Sequence, residues 1–412
     1  MPAPPLFILG TERSGSNLLR VILDSHPRIV IPHPPHVMRY FTPLAPRYGD
    51  LADASNLAAL VDDVLALVHA HIHPWPWIPS ATDLLGRLQP APGASAAITG
   101  PFGPVMAVYS RRALAFEPSR VFVTSLDPST PAQVPASAIA ADRVEGTLRA
   151  GHEVARSTWP PDLYAIYAAL HEALRDHDLG PDGGRWGCKS TFMIDHVERI
   201  VASEPDARLI WLYRDPRDVA ASSRESVFSA FHPWKTAQLW ARQQERGLAL
   251  EKAGYALFRL PYEDLVARPE AEVRRLCAYI GEEFHPPMLE FFRGKEAKLS
   301  STLSESWKNT AAPIRGEGLQ RWRKDLSGEE VLAVEAVAGA AMTALGYELT
   351  CSAADRSRAP SVAERVRWTA EDEAAWLRVE WRSLRKDKNV GLRWKRWLLL
   401  QKIRATLTVR GR

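Results

Sequence analysis

The sequence predicts an α/β protein, a mainly parallel central sheet with helices on both faces, and three observations carry that expectation. The apolar run Leu6-Phe7-Ile8-Leu9 stops at Gly10 and, after a short polar turn, gives way to Leu18, Leu19, Val21, Ile22 and Leu23 at helical spacing. The run from Arg208 to Tyr213 behaves alike: it ends at Arg214 and passes into Asp215-Pro216, a side-chain N-cap followed by a first-turn proline. Residues 1–40 and 185–350 alternate short apolar strands with amphipathic helices, the order expected where crossover helices join parallel strands.

The first strand, loop and helix aim backbone N–H groups and the positive end of a helix dipole at one point, a natural seat for a phosphate. Gly10 and Gly15 have the spacing of the common nucleotide loop, but Ser16 and Asn17 stand where its lysine and its magnesium-binding hydroxyl belong. The cation is Arg13, inside the loop. That arrangement suits a 5′-phosphate bound without a metal better than a triphosphate with magnesium. In the second unit Arg214 ends the strand and Ser222 lies eight residues on, two turns into the helix. A guanidinium and a hydroxyl so placed suit a second, separate phosphate.

Further elements follow the same logic. Met193, Val197, Ile200 and Val201 predict a helix over 192–202, and Ser327 with Glu330 forms a capping box for a helix over 327–345 that ends before Gly346. Cys277 lies on the stripe Val273, Leu276, Cys277, Ile280 and is expected in the core. The segment 41–184 carries Pro/Ala/Gly-rich stretches near 89–104 and 126–141 and is expected to supply acceptor-binding walls or a lid. Residues 1–352 are read as the catalytic domain and 353–412 as an extension.

Taken together, these motifs resemble those of the sulfotransferases that use 3′-phosphoadenosine 5′-phosphosulfate (PAPS). Beyond the two phosphate motifs, Trp186-Gly187-Cys188-Lys189-Ser190-Thr191 is similar to the family's Trp-Gly-x-Lys-Thr segment. Tyr262-Glu263-Asp264-Leu265 and Gln320-Arg321-Trp322-Arg323 resemble its later islands. The resemblance covers about residues 5 to 350. It implies a P-loop-like sulfotransferase fold, in-line sulfuryl transfer, and no metal. Arg13, Ser14, Gly15, Ser16 and Asn17 would hold the 5′-phosphosulfate, with Lys189 near the sulfuryl group. Arg214 and Ser222 would hold the 3′-phosphate, with Arg321, and more weakly Arg315, near it. The acceptor would be a carbohydrate, lipid or small molecule bearing a hydroxyl or amine.

The base is harder to read. Ser25-His26-Pro27-Arg28-Ile29-Val30-Ile31-Pro32 is similar to a family segment that continues to a glutamate, and here that position is Pro34. His33 and His36 flank it, and an imidazole, titrating near neutral pH, suits the removal of a proton from a hydroxyl. Either is a candidate. Pro34 also leaves open a PAPS-binding or membrane-associated protein without catalysis, and a nucleotide kinase would share the fold but lacks the loop lysine.

His69, His71 and His73 alternate, which points a helix's side chains apart and leaves a strand without a fourth ligand, so no metal is expected. Three cysteines without Cys-x-x-Cys spacing give neither a disulfide framework nor a zinc site. The N-terminus lacks a basic region and no stretch reaches about 20 apolar residues, so a cytoplasmic protein is expected. Residues 353–412 hold 16 Lys and Arg against 7 Asp and Glu, while the rest of the chain holds 36 against 41. Val390, Trp394, Trp397 and Leu398 share one helical face there. Two readings stand: a terminal helix packed by its tryptophans, or a basic helix lying on the inner face of an anionic membrane. Nucleic acid is not expected, since no binding module is present. The oligomeric state is not legible.

Overall fold

The computed structural model describes residues 3–89, 108–109, 121–122, 161–181, 183–224, 226, 231–386 and 389–409. Its strands are β1 (Leu6–Leu9), β2 (Ile29–Val30), β3 (Val108–Tyr109), β4 (Val121–Phe122), β5 (Arg185–Lys189), β6 (Arg208–Tyr213) and β7 (Leu257–Pro261). Five form one sheet in the order β2-β5-β1-β6-β7, every pair parallel, while β3 and β4 pair antiparallel by themselves.

The central strand β1 is wholly buried, and its apolar run is what a strand covered on both faces requires. Successive side chains point to opposite faces. Phe7 and Leu9 join a cluster with helices Ala54–His69 and Leu163–Leu179, whereas Leu6 and Ile8 join one with helices Ser16–Asp24 and Pro269–Ile280. The two-faced α/β architecture is therefore as expected. Cys277 is buried in the second cluster. Only glycine fits at the end of β1, since a Cβ at residue 10 would lie 2.5 Å from the carbonyl oxygen of Leu212 in β6.

Helix Gly328–Ala344 carries the expected capping box between Ser327 and Glu330. The stretch 192–202 differs in detail, opening as a 3₁₀ turn over Met193–His196 before the α-helix Val197–Ser203. Within 41–184, helices Ala54–His69 and Leu163–Leu179 are parts of the main core. The Pro/Ala/Gly-rich stretches, apart from residue 89, lie outside the described residues.

The C-terminal extension is anchored at two places. In helix Val362–Lys386, Asp372 accepts hydrogen bonds from the backbone N–H groups of Phe231 and His232 at 2.8 and 2.7 Å and pairs with Lys235 at 2.8 Å. Trp368 stacks on His232. Helix Val390–Val409 buries Leu400, Ile403 and Leu407 in the same cluster as helix Ala54–His69. The packing face is thus not the one that Trp394 and Leu398 define; those two side chains are 54% and 56% exposed.

Candidate active site

The carboxyl ends of parallel strands are where α/β proteins gather ligand-binding groups. The loop Gly10–Gly15 follows β1, Lys189 closes β5, Arg214 follows β6 and Tyr262 follows β7.

The loop turns tightly, with the N–H of Ser14 donating to the carbonyl of Thr11 and left-handed backbone at Arg13 (φ 67°) and Gly15 (φ 88°). Gly15 caps helix Ser16–Asp24 with no side-chain hydrogen bond, so its cap supplies no side chain to the first-turn N–H groups, a setting that suits an anion. A Cβ at residue 15 would meet the ring of Tyr262 at 2.4 Å, so glycine is needed for space as well as for φ. The buried Ser14 hydroxyl and the Asn17 side-chain nitrogen have no protein partner among the described residues. A buried orphan of this kind costs about 1 to 3 kcal/mol, and phosphate oxygens would satisfy both. Ser16, also buried, opens the helix.

Two glutamines from helix Pro233–Lys252 brace this edge. Gln244 donates to the Thr11 hydroxyl at 2.7 Å and accepts from the Trp211 indole, while Gln243 donates to the carbonyl of Thr191 at 2.6 Å. Sequence reading does not find them, since their partners lie more than 30 residues away.

The second motif meets the first. Asp215 caps helix Pro216–Ser223 through the N–H of Arg217, as expected. Arg13 Nε donates to the Ser222 hydroxyl at 3.0 Å, and Arg214 Nη1 donates to the Arg13 carbonyl at 3.3 Å. Arg214 also lies over the Tyr262 ring, 4.4 Å from its centre, and donates to the carbonyl of Gly318. Tyr262 therefore spaces the loop glycine from the second motif's arginine. The segment near 320 docks beside them, since Asp218 accepts from the backbone N–H groups of Gln320 and Trp322 at 2.8 and 2.9 Å. The Arg321 side chain pairs with Asp325 one turn away, and Arg315 is exposed. Arg217 is structural: buried, it bridges Asp215 and Glu335, which also accepts from Thr350 and Cys351.

Lys189 lies opposite Ile8 of β1 and is buried. Burial, reinforced by the charge of Arg20, pulls its ammonium pKa down to about 8. Next in sequence, the Ser190 hydroxyl bonds Nδ1 of His36 at 3.1 Å, and the imidazole stands edge-on to Phe192. His36 is partly exposed and adopts φ 59°, a left-handed conformation that non-glycine residues rarely hold without compensation. Loss of water around the ring, then the charges of Arg396 and Lys189, keeps its pKa well below the usual histidine value.

His33 is more deeply set. It stacks on His73 (centroids 5.0 Å apart), contacts His71 and Trp307, and has no partner for either ring nitrogen among the described residues. Burial and the charge of Lys189 hold it in the neutral form. His33 and His73 border a cavity of about 310 Å³ whose walls include Ile29, Ile31, Trp75 and Glu296. Arg20, fully buried, ties this cluster to the loop: it donates to Asn17 at 2.8 Å and to Ser300 at 3.0 Å, and pairs with Glu296 at 2.6 Å. His73 Nε2 meets the same Glu296 at 3.1 Å.

Known structures of similar shape are at low identity. The sulfotransferase domain from the olefin synthase of Synechococcus PCC 7002 is 17% identical, with a TM-score of 0.47, covering 85% of this chain and 96% of that one. The sulfotransferase domain from the curacin biosynthetic pathway is 15% identical, with a TM-score of 0.42, over 85% and 99%. Sulfotransferase STF9 from Mycobacterium avium is 15% identical, with a TM-score of 0.40, over 85% and 78%. Comparison with curated protein sequences gave no match. The sequence model of the sulfotransferase family matches residues 4–83 and 128–286, more than half of the chain and both phosphate motifs with the strands that carry them. The chain belongs to the sulfotransferase family.

Proposed function

We propose that the protein transfers the sulfuryl group of PAPS to a hydroxyl or amine of a carbohydrate, lipid or small-molecule acceptor. The observation that carries this reading is the meeting of two anion-binding motifs: the loop after β1 and the Arg214/Ser222 pair are joined through Arg13 at 3.0 Å. A donor with phosphate at both the 5′ and 3′ positions matches that pairing. The loop N–H groups, Ser14 and Asn17 are assigned to the 5′-phosphosulfate, Arg214 and Ser222 to the 3′-phosphate, and Arg13 to the charge between them. No divalent cation is needed, since the loop's own cation is an arginine.

The acceptor oxygen attacks sulfur as the bond from sulfur to the bridging oxygen breaks, and 3′-phosphoadenosine 5′-phosphate (PAP) leaves with the charge that develops there. Lys189 is assigned to that charge, aimed from a site where burial makes a cation count for more than in water. His36 is assigned as the base. In the tautomer whose Nδ1–H donates to Ser190, Nε2 carries the lone pair that takes the acceptor proton, and the low pKa leaves the ring without a second proton at neutral pH. The two orphaned nitrogens of His33 support a second reading in which that ring takes the proton from an acceptor in the neighbouring cavity.

Calorimetry with PAP, 5′-AMP and ATP, with and without chelator, tests the donor assignment. PAP is expected to bind most tightly and without magnesium. Arg214→Ala removes a charged hydrogen bond worth about 1.5 to 3 kcal/mol and should bring PAP down toward 5′-AMP. Equal affinity for PAP and 5′-AMP in the unaltered protein would overturn the 3′-phosphate assignment.

A further inference from the structure

Large apolar side chains that stand exposed are concentrated in one part of the molecule. Among the described residues there are ten, and all but Leu299 lie in 362–409. Soluble surfaces rarely cluster such side chains without a use for them.

Their placement is ordered. In helix Val362–Lys386, Leu377, Trp381 and Leu384 follow at steps of four and three, in line with Val362 and Val366, and so share a face. The opposite face is the anchored one, with Trp368, Asp372 and Val379 buried. In helix Val390–Val409, Trp394 and Leu398 are one turn apart and point away from the buried Leu400, Ile403 and Leu407. Arg378, Arg382, Lys395 and Lys402 are exposed at angles flanking these stripes. Residues 362–409, the span of the two helices, hold 12 Lys and Arg against 6 Asp and Glu, and the excess lies after residue 373.

We propose that these two helices form a docking surface for an anionic lipid bilayer, lying in its headgroup layer. Tryptophan and leucine on one face with arginine and lysine beside them match the two parts of such a surface, acyl chains below and phosphate above. No described helix is long and apolar enough to cross a membrane, so the contact is an in-plane one. A second copy of this chain would set the same cations against one another, and a nucleic acid would leave the apolar stripe without a partner.

The test is co-sedimentation of the full chain with vesicles of phosphatidylcholine alone or mixed with phosphatidylglycerol. Binding is expected to the mixed vesicles only and should fall as salt is raised, since the attraction is screened. The double variant Trp381→Ala/Trp394→Ala should lower partitioning by about tenfold or more, whereas Leu299→Ala, altering an exposed leucine outside the region, should not. Matching circular dichroism and melting curves would establish that each variant is folded. Failure of the unaltered protein to sediment, equal binding by the double variant, or a concentration-dependent dimer that Trp381→Ala disperses would each overturn the proposal.

Discussion

Replacing His36 by alanine is expected to lower turnover by about 10² to 10⁴ while leaving PAP affinity unchanged. The expectation rests on position. His36 is held at Nδ1 by Ser190, the residue after Lys189, so one nitrogen is fixed and the other is left for the acceptor. It touches none of the residues assigned to the 3′-phosphate. His33→Ala, made in parallel, is expected to weaken acceptor use far less, since its ring is enclosed by His71, His73 and Trp307. A collapse of turnover in His33→Ala with His36→Ala near normal would assign the proton to His33. Both variants need only the nucleotide-binding control to show that the site is intact.

Lys189→Met should cost about 10² to 10³ in turnover, the scale on which one preorganised charge at a developing anion acts. Its pH dependence is the sharper reading. The ammonium must be protonated to act, and with a pKa lowered to about 8, chiefly by burial, activity should fall as pH rises through that value. The base must be unprotonated, and with the His36 pKa held well below the usual value, the acid limb should lie below the range of an ordinary histidine. In Lys189→Met the alkaline limb should vanish, and in Lys189→Arg it should move beyond the measurable range, since guanidinium keeps its proton. An alkaline limb unchanged in Lys189→Arg would assign it to another group.

What the sequence makes legible here is local. Strand, turn and helix signals at 6–24 and 208–223 sit within a few residues of one another, so both phosphate motifs and their elements can be read directly. Long-range partners cannot. Arg217 and Asp218 lie in the same motif as Arg214, yet one is tied to Glu335 and the other holds the backbone near 320. Nothing near residue 215 announces partners a hundred residues away. Tyr262 is visible as part of an island, but its place between Gly15 and Arg214 depends on β7 lying beside β6. The last helix illustrates another limit. Val390, Trp394 and Leu398 define one apolar face, while Leu400, Ile403 and Leu407 define a different one, and a helix apolar on several sides does not declare by periodicity which side is buried.

Transfer of a sulfuryl group from PAPS to an acceptor yields two products that can be followed together. Incubation of the purified protein with sulfur-labelled PAPS and an extract of metabolites and glycans, in the presence of chelator, tests it most directly. The predicted result is equimolar release of PAP and appearance of the label on an extract component, with both lost in His36→Ala and Lys189→Met. Tight PAP binding with the label retained on PAPS across every fraction of the extract would contradict it, and would describe a nucleotide-binding protein without catalysis.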